Sequence, residues 1–166
     1  MLRYLRWTGK LSAAGLSAED FRARSKTASP QQPVGRVQDV RIPRAAAAGG
    51  DLAARVYRPP CCSDSERPPV LVWLHGGGWV SGSAREHDGI CRVLCNAARC
   101  VVLAVNYRLA PEFPFPAAFE DVLAALRWAA ASADAPPLLA DGARLAVAGA
   151  CALGRNCWHI ALTSLC

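Results

Sequence analysis

Three short apolar runs constrain this chain more than any other feature: Val70-Leu-Val-Trp-Leu74, Val101-Val-Leu-Ala-Val105 and, after Arg144, Leu145-Ala-Val-Ala148. A continuous run of this kind is the mark of a strand buried on both faces, as in the middle of a parallel sheet. The stretches between the runs have helical spacing. Gly82–Asn96 places Ile90, Val93 and Leu94 on one face, and Phe115–Ala133 repeats Phe119, Val122, Leu123, Leu126 and Trp128, with Pro116 near its first turn. Buried strands alternating with helices predict an α/β fold, a mostly parallel sheet with helices on both faces.

Upstream the pattern differs. Val34–Ile42 alternates apolar and polar residues, and Leu52–Tyr57 reads as a second strand. Pro43–Asp51, with Gly49-Gly50, makes the turn of a hairpin between them. Ser17-Ala-Glu-Asp20 has capping-box spacing and opens a short helix to about Ser25, which Ser29-Pro-Gln-Gln-Pro33 ends. Pro59–Pro69 is a polar, proline-rich loop.

A length of 166 residues suits one domain. With 52% hydrophobic and 19% charged residues, disorder is excluded. No apolar run approaches the roughly 20 residues of a membrane span. The net charge of +6 is concentrated at one end, where residues 1–36 carry seven Lys/Arg against Glu19 and Asp20. The rest is nearly neutral and shows no basic stripe, so no nucleic-acid partner is expected. Met1–Leu16 holds Arg3, Arg6 and Lys10 but no continuous apolar core of a secretory signal. A cytoplasmic location is expected, with an organellar transit segment as the alternative. The eight cysteines contain no Cys-x-x-Cys pair. His87, Cys91 and Cys95 share one helix face, where buried thiols are expected rather than a metal. Disulfides are not expected.

Three motifs carry chemistry. His75-Gly76-Gly77-Gly78-Trp79 follows the first buried strand directly. Its glycines leave backbone N–H groups uncovered, able to converge on an oxygen that becomes negative in acyl transfer; such a donor is worth about 3 kcal/mol. Asn106-Tyr107-Arg108-Leu109-Ala110-Pro111-Glu112 contains no nucleophile–base pair and reads as a structural corner, with Tyr107 and Arg108 at a strand end. Gly149-Ala150-Cys151-Ala152-Leu153-Gly154 follows the third buried strand, where a sharp strand-to-helix turn would present a nucleophile. Cys151 sits at its centre, and a helix N-terminus lowers a thiol pKa.

Together these residues resemble the hormone-sensitive-lipase-like, fold-3 branch of the α/β hydrolases. The resemblance runs from about Val34 to Gly149 and rests on His75–Trp79, on Tyr107–Glu112 with Phe115-Pro116-Ala117 and Asp121, and on Arg144–Gly149. It implies a carboxylic ester hydrolase without cofactor or metal, acting on a small acyl ester. Gly77, Gly78 and Ala152 would be the oxyanion donors, His75 and Gly76 would support them, and Cys151 would hold the nucleophile position. It also implies the N-terminal portion of an α/β-hydrolase fold in three parts: a cap-like segment at 1–33, the first half of the hydrolase fold at 34–150, and an aberrant tail at 151–166.

The elbow departs from the family's Gly-Asp-Ser-Ala-Gly-Gly, with Ala150, Cys151 and Leu153 in place of Asp, Ser and Gly. Leu153 is the least compatible with a tight turn. The family's acid and histidine follow the nucleophile in the chain. Here no Asp or Glu follows Cys151, and the one later histidine is His159. On a helix leaving the elbow, His159 would lie about 12 Å along the axis, directed away. A shifted reading frame or splice site just after Gly149 would produce such a change. The alternative expectation is therefore an inactive, truncated fragment or decoy. Its last strand would keep an open edge through which it could associate.

Overall fold

The structure, a computed structural model, describes Glu19, Arg22, residues 31–44, 49–60, 62, 63 and 65–150, and the backbone strand at 158–162. Its elements are β1 (Arg36–Ile42), β2 (Leu52–Arg58), β3 (Pro69–Leu74), α1 (Asp88–Ala98), β4 (Val101–Val105), α2 (Ala117–Ala131), β5 (Asp141–Ala150) and β6 (Trp158–Leu162). The strands form one sheet in the order β1-β2-β4-β3-β5-β6. It is mixed rather than mostly parallel: β3 pairs in parallel with β4 and β5, while the β1–β2, β2–β4 and β5–β6 pairings are antiparallel.

The connections explain why the helices cover opposite faces. From β3 the chain crosses through α1 to β4 on one side; from β4 it crosses through α2 to β5 on the other. Two right-handed crossovers running in opposite directions place their helices on opposite faces. Strand pleating then sorts the core. Val70, Val72, Val101, Leu103, Val105 and Leu145 pack with Ala125 and Ala129 of α2. Trp73, Val102, Ala104 and Ala148 pack with Cys91 and Cys95 of α1. The cysteines thus line a buried helix face, and no metal-holding group of side chains occurs among the described residues.

Both helices differ from their sequence reading. α1 begins at Asp88 rather than Gly82. Gly82 has φ +100°, and the Ala84 N–H donates to Asn106 Oδ1 at 2.7 Å, which holds the preceding residues in turns. α2 buries Ala117, Asp121, Ala125 and Ala129, while Phe119 is exposed. Small residues at four-residue spacing let this helix approach the sheet closely. Val122, Leu126 and Trp128 flank that stripe and are partly buried against the core.

The largest correction concerns the end of the sheet. The open edge expected on β5 is covered, because β6 pairs with it from Ala146↔Leu162 to Ala150↔Trp158. His159 therefore does not travel away on a helix. Its backbone returns opposite Gly149. Of the helix expected at Ser17–Ser25, only Glu19 and Arg22 are described, both helical. Met1–Leu16 and residues 151–157 lie outside the described residues. Among those described, no helix is long and apolar enough to cross a membrane.

Candidate active site

The two crossovers, β3 to β4 and β4 to β5, run in opposite directions across the sheet, and the carboxyl ends of the strands at such a reversal are where open α/β sheets bind ligands. His75–Gly78 leaves β3 at this point, and Gly149-Ala150 ends β5 beside it. The approach is close. A Cβ on Gly149 would lie 2.9 Å from the Leu74 carbonyl oxygen, and one on Gly76 would lie 3.2 Å from Ala150 Cβ. Glycine at 149 lets the strand end lie against the Leu74 carbonyl, and glycine at 76 keeps the loop tight against Ala150.

The loop is a tight turn closed on one oxygen. The Gly77 carbonyl accepts from Val80 N at 3.1 Å, Ser81 N at 3.0 Å and the Ser81 hydroxyl at 3.2 Å. Gly77 and Gly78 have φ +133° and +61°, conformations that side chains disfavour. With Gly77 O turned inward, the N–H groups of Gly77 and Gly78 find no hydrogen-bond acceptor among the described residues.

Three rings brace the loop, His75 and Tyr107 buried and His87 half-buried. The Tyr107 hydroxyl donates to the His75 carbonyl at 2.6 Å, and the two rings stack with centroids 4.1 Å apart. His75 Nδ1 donates to Gly76 O at 3.0 Å, while its Nε2 is buried without a partner. Burial keeps the imidazole neutral and pulls its pKa down to about 4. Burial also lowers the pKa of His87, which lies 3.3 Å from both Trp73 Nε1 and Gly76 N. A neutral imidazole accepts at only one nitrogen, so His87 satisfies one of these two donors at a time.

The Asn106–Glu112 corner is the frame behind the loop. Ala110 N donates to the Trp79 carbonyl at 2.8 Å. Asp121, fully buried on α2, accepts from Arg108 N at 2.8 Å, from Arg108 Nε at 3.0 Å and from Arg44. These ties confirm the structural reading of the motif and fix the loop relative to α2. Residues the sequence reading passed over also reach the site. Arg22, carried by the N-terminal segment, donates to Val80 O at 2.7 Å, to Ala110 O at 3.2 Å and to both Glu112 oxygens. Its position 58 residues from Val80 leaves no local signal in the sequence.

Of the residues singled out for chemistry, the structure brings His75, Gly76, Gly77 and Gly78 together beside Ala150. Cys151 and Ala152 lie outside the described residues.

A parallel-centred sheet with a glycine loop at its switch point defines a class, and comparison with known proteins agrees. A family model described as alpha/beta hydrolase fold matches residues 71–163, more than half of the chain. The chain belongs to the α/β hydrolase fold family. The match reaches beyond Gly149, where the resemblance read from motifs stops. Esterase LipI of Mycobacterium tuberculosis is 43% identical over 135 residues, covering 81% of this chain and 41% of that protein. An esterase from Pyrobaculum calidifontis superposes with TM-score 0.71 at 42% identity, over 81% of this chain and 43% of its own. The carboxylesterase EstE1, cloned from a metagenomic library, gives the same score and identity and is 45% covered. The chain thus spans less than half the length of these relatives.

Proposed function

We propose that this site serves carboxylic ester hydrolysis by nucleophilic acyl transfer, with Gly77 and Gly78 as oxyanion donors, Ala152 as a third, and His75 and Gly76 as their support. The observation that carries this reading is the pair of adjacent backbone N–H groups without an acceptor among the described residues, held at the carboxyl end of β3 beside the end of β5. Donors aimed where charge develops act without reorganising, which is why such loops accelerate acyl transfer. The curated relative and both superposed proteins are named as esterases.

In the proposed reaction the Cys151 thiolate attacks the ester carbonyl, and the new oxyanion is held by the loop. The carbonyl re-forms as the C–O bond breaks, and the departing alkoxide takes from solvent water the proton that the Cys151 thiol gave up to solvent on ionising. Water then cleaves the thioester, releasing the acid and restoring the thiol. No cofactor or metal enters this scheme. Residues 1–33 act as a cap-like segment and 34–150 as the hydrolase half that holds the loop. Residues 151–166 carry the nucleophile.

A second reading is a chain that holds the loop without turning esters over. It is favoured by the state of His75 and His87, the first buried and the second half-buried, both held neutral beside the loop backbone rather than poised as bases. Hydrolysis of a chromogenic acetate or butyrate ester separates the two. Turnover that disappears in Cys151→Ala supports the enzyme. Equal background in both supports the silent chain.

A further inference from the structure

We propose that Arg22 is a positioning residue for the glycine loop, a strut that sets the direction in which Gly77 and Gly78 present their N–H groups. The proposal rests on the oxyanion reading above. The loop and the Asn106–Glu112 corner are joined by one backbone bond, Ala110 N to Trp79 O. The Tyr107 hydroxyl on the His75 carbonyl ties the start of the loop to the same corner, and Arg22 adds the tie that reaches Val80 at its far end. Its Nε holds the Val80 carbonyl, while one terminal nitrogen holds the Ala110 carbonyl and both grip Glu112.

Val80 is the lever in this arrangement. Its N–H closes the turn on Gly77 O, and its carbonyl is the atom that Arg22 captures at 2.7 Å. The peptide that carries this carbonyl also carries the Ser81 N–H, which donates to Gly77 O at 3.0 Å, so rotating that plane would break this bond and loosen the turn that directs the two glycine N–H groups. The guanidinium suits the task because its planar fork spans a carboxylate and two carbonyls at once, whereas an ammonium is a single point of charge. Glu112 supplies the counter-charge: hydrogen bonding from Arg22 is the first cause that pulls its pKa down to about 2. The fork therefore stays charged on both sides at neutral pH.

The test uses the full chain and the variants Arg22→Gln, Arg22→Lys and Glu112→Gln. Backbone amide exchange reads the strut without requiring turnover. In Arg22→Gln the Val80 and Ser81 amides are expected to exchange about ten-fold faster, while β4 amides keep wild-type protection. Arg22→Lys is expected to behave like Arg22→Gln, because charge without the fork does not span the three acceptors. Unchanged loop protection in Arg22→Gln, equal acceleration in β4, or full rescue by lysine would each overturn the proposal. Ester hydrolysis by the wild-type chain reads the oxyanion assignment separately, so its absence counts against that reading and leaves the exchange result to decide the strut. Where turnover is measured, Arg22→Gln should lower kcat about ten-fold at unchanged KM. A raised KM at unchanged kcat would contradict a positioning role.

Discussion

Replacing Gly77 by alanine adds one methyl group at the tightest point of the glycine loop. The new Cβ would fall on the Ser81 carbonyl oxygen and lie 2.7 Å from Ser81 Oγ, so the turn cannot stay closed. Opening it releases three bonds to Gly77 O, from Val80 N, Ser81 N and the Ser81 hydroxyl. Each is worth about 1 kcal/mol net. Holding an alanine at φ +133° adds about 1–2 kcal/mol. The expected loss of stability is therefore about 4 kcal/mol. Gly49→Ala is the control. Gly49 also has positive φ, +86°, but an added Cβ there meets nothing within 4 Å. Its cost should be the backbone term alone, about 1 kcal/mol. Urea unfolding of both variants and the wild type, followed by circular dichroism and tryptophan fluorescence, measures the difference. Losses for the two variants that agree within about 1 kcal/mol would refute the claim that the Ser81 contact dictates glycine at 77.

Asp121→Asn leaves Arg44 and Arg108 facing a neutral, fully buried amide and should cost about 3 kcal/mol in the same assay; a loss below about 1 kcal/mol would contradict the role given to this carboxylate. Stability should also fall in mild acid. His75 titrates at about 4 in the fold because burial disfavours its charge, against about 6.5 when unfolded, so the unfolded chain binds the extra proton between those values. The contribution is intact above pH 6.5, declines as pH falls towards 4, and amounts to about 3 kcal/mol; a stability that stays flat over this window in wild type and His75→Gln alike would rule it out. Cys91, Cys95 and Cys100 are buried, and burial pushes the Cys100 thiol up to about 11 and Cys91 higher still. Iodoacetamide at pH 8 should label these three only after denaturation, as read by peptide mass spectrometry, and rapid labelling of the folded chain would show that the α1 face is open.

The sheet was legible because burial on two faces writes itself into consecutive residues. Val101–Val105 had to be central, and the glycine run after Leu74 had to be a loop at a strand end. The polar frame was not legible. Arg22 on Val80, Tyr107 on the His75 carbonyl and Asp121 between two arginines join residues far apart in sequence, and such pairs have no period. Helix α2 shows a related limit: Phe119 fits the apolar repeat, yet the contact face uses alanines because the sheet is close. The end of β5 misled for another reason. The family's elbow leads into a helix, and that precedent placed His159 far away. The β5–β6 pairing instead satisfies the strand edge with a local antiparallel return, which an unpaired apolar strand favours over exposure.

In the proposed reaction the Gly77 and Gly78 N–H groups receive a tetrahedral oxyanion. The most direct measurement follows these two amide protons by NMR while an alkyl phosphonate monoanion, a mimic of the tetrahedral intermediate, is titrated into the full chain. Saturable downfield shifts are expected at Gly77 and Gly78, with Gly49 and Gly50 unmoved. Glycine-loop amides that stay in place, or that move no more than those of Gly49 and Gly50, would contradict it.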